Sequence, residues 1–134
     1  NDIAGGKVPQ GYEAGLEQIV DKCLVVGCIP IINTIPPRRD REEAVLAANA
    51  IIRKLAARKQ IPLADFHAAI VKCRPSNSWD GTLISKDGVH PSGGKSQDYS
   101  ADNLKTCGYA LRTCVNFLAL RELYFRVLHP EEAR

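Results

Sequence analysis

The sequence predicts an α/β layered fold with a parallel sheet. Three observations predict it. A short run rich in branched residues, Cys28 to Thr34, is nearly all apolar up to Asn33, as strands covered on both faces are, and Ile61 to Phe66 reads as a second short strand. Each run follows a segment whose apolar residues recur with a helical period. This order of helix, strand, helix, strand, loop and helix is the pattern of crossover units, whose connections are right-handed. At 134 residues, with 45% hydrophobic and 25% charged residues, the chain suits one domain with a core, spanning residues 1–134.

The first helix is expected from about Gly11 to Val26, with Tyr12, Leu16, Ile19 and Cys23 on its buried face and Gly27 as its stop. In the first strand, Pro30 has no amide to donate and belongs near the start, and Pro36-Pro37 forces a loop. Asp40-Arg41-Glu42-Glu43 has the pattern of a capping box, with Asp40 as N-cap and Glu43 reaching back. Val45, Ala48, Ile52 and Leu55 then mark the apolar face of a helix to about Arg58. After the second strand, residues His67 to Val71 read as a short helical turn, and Cys73 to Lys86 has loop composition. A long helix is expected from about Ser100 to Leu128, burying Leu104, Cys107, Leu111, Cys114, Leu118 and Phe125. Two strands are too few for an independent sheet, so further strands should come from missing sequence, a partner chain or a swap. The opening Asn1-Asp2-Ile3 without a methionine reads as the start of a fragment.

Composition excludes several function classes. Net charge is only +3, the basic residues are scattered, and 6% aromatic content gives no basic face interleaved with aromatics, so nucleic acid is not an expected partner. The longest apolar stretch, Cys23 to Ile35, is broken by Gly27 and Pro30, so no membrane span is expected. The five cysteines form no C-x-x-C pair, which argues against a zinc site. Cys107 and Cys114 lie about two helical turns apart, ~10 Å, too far for a disulfide. Most of the cysteines are expected to act as small buried apolar residues.

The best candidate for chemistry is His90, whose imidazole can take a proton from a hydroxyl nucleophile and return it to a leaving group. Asp87, three residues earlier, can fix the imidazole tautomer if the segment makes a turn. By itself Asp-x-x-His is a weak pattern that surface turns also show. Ser92 is too close to His90 in sequence to reach its ring and reads as a turn or helix-entry residue. Arg38 and Arg39, after the proline loop, either bind a carboxylate or sugar or stand solvated at the helix entrance. Trp79 either stacks on a sugar ring or packs the long loop down, while His67 is expected to cap and His129 to have no specific role.

Asp87-Gly88-Val89-His90-Pro91-Ser92, ahead of a terminal helix, resembles the last sequence block of the SGNH/GDSL hydrolases. Asn1-Asp2 resembles the family's Gly-x-Asn-Asp block without its glycine, and residues Pro30 to Pro37 are similar to its fourth strand and following proline loop. The three landmarks stand in the family's order, and the resemblance covers nearly the whole chain. The resemblance implies a three-layer flavodoxin-like fold whose first strands are missing here. It implies His90 as general base, Asp87 as its orienting residue and Asn1 as an oxyanion-hole donor. Arg38 and Trp79 are carried as substrate-binding candidates. The family's Gly-Asp-Ser block, with the nucleophilic serine, and its oxyanion-hole glycine are not in these residues. The implied activity is hydrolysis of short-acyl or carbohydrate esters through an acyl-serine, without metal or cofactor, with the isolated chain inactive. The competing reading is a non-catalytic module, a decayed or truncated hydrolase that assembles, with itself or with the absent part, through an exposed sheet edge or its cysteines. A response-regulator-like binding domain fits less well, because it leaves residues 87–91 unexplained.

Overall fold

The computed structural model describes residues 3–132. Its main elements are α1 (Tyr12–Val25), β1 (Ile32–Asn33), α2 (Glu42–Lys59), β2 (Leu63–Ala64), α3 (Phe66–Cys73) and α4 (Gly108–Leu123). β1 and β2 pair in parallel, Ile32 opposite Leu63 and Asn33 opposite Ala64, so the fold is the expected α/β arrangement. Both strands are shorter than their apolar runs. Pairing between them is limited to the register of residues 32–33 with 63–64, extended by amide bonds from Ile32 to the Pro62 carbonyl and from Thr34 to the Ala64 carbonyl. Asn33 and Asn116 exchange side-chain amide bonds of 3.0 and 2.9 Å, tying β1 to α4.

Gly27 does end α1. It adopts φ 78°, its amide bonds to the Leu24 carbonyl, and the next amide, of Cys28, reaches back to Cys23. These two bonds are the Schellman pattern that a left-handed glycine permits. The buried face of α1 is rotated from the expected one: Ile19 is 61% exposed and Val20 is buried against Leu55, Ala56 and Ile61. The acidic residues supply the reason. Glu13, Glu17 and Asp21 form a stripe that meets Arg58 and Lys59 at the end of α2, with contacts of 2.6–3.3 Å, and this turns Val20 inward.

The capping box ahead of α2 does not form. Asp40 sits at φ 57°, the N-cap is Arg41, and no side chain caps the helix. Longer-range bonds hold this turn instead: the Arg39 amide and guanidinium reach residues 80–88, and Arg41 Nε donates to the Ala4 carbonyl. Val45, Ala48, Ile52 and Leu55 are buried as their spacing predicts. Asn49, fully buried on the same face, donates to the Ile35 carbonyl at 2.8 Å and accepts from its amide at 2.7 Å. An apolar residue there would leave both backbone groups unpaired.

Asp65 ends β2 and caps α3, where a capping role for His67 was expected; His67 instead donates its amide to Thr34 Oγ1. The Asp65 carboxylate accepts from Arg53 Nε at 2.8 Å, Arg53 Nη2, Ala68 N and Thr34 Oγ1. Burial alone would raise its pKa, but the hydrogen bonds from Arg53, the Ala68 amide and Thr34 outweigh that and hold it below the ordinary value. A carboxylate with a depressed folded pKa contributes stability that is complete above the unfolded value of about 3.9 and is lost as pH falls through the folded value. Asp65→Ala is therefore expected to cost about 2–3 kcal/mol at pH 7, through the lost cap and unpaired donors. Urea unfolding of both proteins from pH 7 to pH 2 should show the gap narrowing at the acid end, and a gap that stays constant would refute the linkage.

The expected single helix from Ser100 to Leu128 is broken. A 3-10 turn at Asn103–Lys105 precedes α4, and a π turn at Tyr124–Leu128 follows it. The break falls at Cys107, whose backbone is extended (φ −112°, ψ 104°). Ser92 Oγ accepts from the Gly108 amide and donates to the Thr106 carbonyl, so the serine enters the helix start from outside. Cys107 and Leu111 are buried, whereas Leu118 is 49% exposed. Cys107 is the buried cysteine among five free thiols; Cys23, Cys73 and Cys114 are half-buried and Cys28 is exposed. The main core packs Phe66, Ile70, Trp79, Leu83, Ile84 and Leu111 between α3, α4 and the long loop. Ile19 and Val25 on α1, Val26 at its C-cap and Phe117 on α4 stand exposed. Among the described residues, no helix is long and apolar enough to cross a membrane.

Candidate functional site

The loop of residues 85–90 is folded around one carboxylate. Short ladder contacts flank it, Asp80 with Ile84 and Ile84 with Pro91, and the Ser85 amide closes it on the His90 carbonyl at 2.8 Å. Gly88, at φ 72°, turns the chain so that its amide reaches the Ser85 carbonyl. Asp87 Oδ1 accepts from Ser85 Oγ at 2.6 Å, the Val89 amide at 2.8 Å and the His90 amide at 3.1 Å. Asp87 Oδ2 meets His90 Nδ1 at 2.7 Å. Hydrogen bonds from the Ser85 hydroxyl, the His90 ring and the two amides hold the Asp87 carboxyl well below the usual carboxylate range.

An ionised carboxylate has only acceptors, so Nδ1 of a neutral His90 carries its proton and Nε2 presents a lone pair. Nε2 has no partner among the described residues. The His90 side chain is 69% exposed and lines a cleft of about 350 Å³ with Ile3, Tyr12, Ile35, Pro36 and Arg38. The arrangement gives a base with a fixed tautomer at the mouth of a mainly apolar cleft, where a proton acceptor can work on a hydroxyl brought from outside. The serines nearest in sequence are both engaged, Ser85 with Asp87 and Ser92 with the start of α4.

The other sequence candidates are distributed unevenly. Arg38 lines the His90 cleft and two neighbouring ones, and its guanidinium has no partner among the described residues. Trp79 is buried in the main core, and it lines the two neighbouring clefts but not the one that holds His90. Asn1 lies outside the described residues. His67, whose pKa burial and the Arg53 charge push down, lines a cleft with Trp79. His129 stacks on Tyr124 at 4.5 Å. His129, Glu131 and Glu132 offer ligand atoms within 4.8 Å of one another, at a largely solvent-exposed end of the molecule.

Three contributors were not singled out from the sequence. Ser85 is a fourth donor to Asp87, Asn49 clamps the backbone of Ile35 in the cleft wall, and Asp80 pairs with Arg39 behind the loop. Asn49 had a legible signal, a lone amide in the apolar stripe of a helix. Asp80 had none, because its partner is 41 residues away.

Neither a curated protein nor a solved structure matches the chain. The model of the GDSL-like lipase/acylhydrolase family matches residues 1–93, which include the Asp87–His90 loop, both strands and α1 to α3. That match covers more than half of the sequence, and the chain belongs to the GDSL-like lipase/acylhydrolase family.

Proposed function

We propose that this chain supplies the base and its orienting carboxylate to a serine ester hydrolase acting on short-acyl or carbohydrate esters. The observation that carries the reading is the 2.7 Å contact between Asp87 Oδ2 and His90 Nδ1, with Nε2 unpartnered among the described residues beside a cleft. His90 Nε2 takes the proton of a serine hydroxyl as its oxygen attacks the ester carbonyl, and Asp87 stabilises the imidazolium that forms. The same proton passes to the departing alkoxide, leaving an acyl-serine. Water then attacks the acyl group by the same route, giving the acid and the free serine. Asn1 is the proposed side-chain donor to the carbonyl oxygen as charge develops there. Arg38 is the proposed substrate contact in the cleft; Trp79 is a weaker candidate because its ring is buried.

With Ser85 and Ser92 engaged, the nucleophile is assigned to a Gly-Asp-Ser block outside these 134 residues. The second reading is a non-catalytic assembly module, and the exposed Val25, Val26 and Phe117 favour it. Intact mass after exposure to a fluorophosphonate separates the two. The 14.7 kDa chain alone should gain no adduct. A protein that joins it to a Gly-Asp-Ser block should gain one adduct and hydrolyse p-nitrophenyl acetate. Absence of both in the joined protein would leave the assembly module, and an adduct on the isolated chain would mean that one of its own serines is the nucleophile.

A further inference from the structure

We propose that Arg39 is a positioning residue that braces the Asp87–His90 loop from behind, and that Asp80 aims it. The inference rests on the reading of Asp87 and His90 as the working pair. Arg39 grips the loop through backbone and side chain together. Its amide donates to the Gly88 carbonyl at 2.9 Å, and its Nη2 donates to the Lys86 carbonyl at 3.2 Å. These two carbonyls flank Asp87 on either side. The guanidinium is fixed in turn by a two-pronged contact to Asp80, Nε to Oδ2 and Nη2 to Oδ1, each 2.7 Å. Hydrogen bonding within the pair raises the Arg39 pKa and lowers that of Asp80, so both stay charged.

Gly88 completes the brace. A Cβ on Gly88 would lie 2.7 Å from Arg39 Cβ, 3.0 Å from Nε and 3.1 Å from Cζ, so the arginine side chain runs flat against a residue that has no side chain. The φ of 72° at Gly88 also favours glycine. The Asp87 carboxylate thus takes four donors of its own, while Arg39 holds the carbonyls of the residues on either side of it. A lysine in place of Arg39 would keep the backbone bond but lose the fork, because an ammonium cannot bond two carboxylate oxygens and a carbonyl in one plane. An exposed ion pair of this kind contributes little to overall stability, so its effect should be read at the loop.

The test is the tautomer of His90, read from long-range ¹H–¹⁵N spectra of the full chain at a pH where the ring is neutral. The native chain should show mainly the Nδ1–H form, and Asp87→Asn should reverse it. If Asp87→Asn leaves the spectrum unchanged, the pairing of Asp87 with His90 is wrong, and the brace falls with it. If that control behaves, Arg39→Ala and Asp80→Asn should each lower the ratio of Nδ1–H to Nε2–H by about tenfold, with Arg39→Lys restoring little. Arg58→Ala, which removes an ion pair remote from the loop, should leave the ratio unchanged. A native ratio in both Arg39→Ala and Asp80→Asn, with only a lower melting temperature, would make the brace structural and overturn the proposal. Should Arg39→Ala fail to fold, Asp80→Asn and Arg39→Lys decide, since both keep a long cationic side chain at position 39.

Discussion

Replacing His90 by alanine, in a protein that joins this chain to a Gly-Asp-Ser block as proposed, is expected to lower kcat by roughly 10⁴–10⁶-fold with little change in KM. Among the described residues the ring's hydrogen bond is to Asp87 and the side chain is 69% exposed, so its loss should leave the fold intact. Asp87→Asn should cost roughly 10⁴-fold, and the hydrogen bonds around the carboxylate show why so small a change is so damaging. Oδ1 accepts from Ser85 Oγ and from the amides of Val89 and His90. An asparagine must place its oxygen there, because its NH₂ group cannot accept from those amides. The NH₂ then faces His90 Nδ1, which becomes an acceptor. The ring proton moves to Nε2, the atom that has to receive the proton of the serine. The acid limb of the pH–rate profile is not set by Asp87, whose carboxyl is held well below the ordinary value of about 3.9. Single-turnover rates with p-nitrophenyl acetate check the assignment. Asp87→Asn activity within tenfold of native would remove the carboxylate from the mechanism.

The part of this site that the sequence discloses is the part built from neighbours in the chain. Asp87 and His90 are three residues apart, and one turn with glycine at its centre is enough to bring their side chains together. The same locality makes Gly27 readable as the end of α1 and residues 45–55 as one buried helix face. Where distant segments meet, local signals lose. Asp40-Arg41-Glu42-Glu43 has the pattern of a capping box, yet its turn is pinned by bonds to Ala4, Asp80 and the Asp87 loop, and these place Asp40 in a left-handed conformation. The continuous helix read through residues 100–128 crosses Thr106, Cys107 and Gly108, all weak helix formers, and Ser92 enters at Gly108, where α4 starts afresh. On α1 the apolar spacing pointed to Ile19, whereas the acidic stripe facing Arg58 and Lys59 turned Val20 inward. Arg39 and Asp80 become partners only once the loop is folded, so no spacing rule could pair them.

Gly108→Ala is expected to destabilise the protein by about 3 kcal/mol or more, opposite in sign to most glycine-to-alanine changes in helices. Gly108 is the first residue of α4, and an added Cβ would fall 2.0 Å from the Leu83 carbonyl oxygen and 2.7 Å from the Ser92 amide nitrogen. Both atoms are backbone, and they are bonded to each other at 2.9 Å, so neither can yield without breaking that pairing. The segment so disturbed is the one that leads into and out of the Asp87–His90 loop. The change should therefore reduce activity as well as stability, although Gly108 touches no part of the cleft. Gly15, inside α1 with nothing within 4 Å of an added Cβ, is the matched control. Alanine there should stabilise by up to about 1 kcal/mol, since only the backbone entropy of glycine is removed. Urea unfolding of the two variants measures the contrast directly. If both substitutions stabilise, α4 does not press on residues 83 and 92, and its first turn cannot be what holds the His90 loop in place.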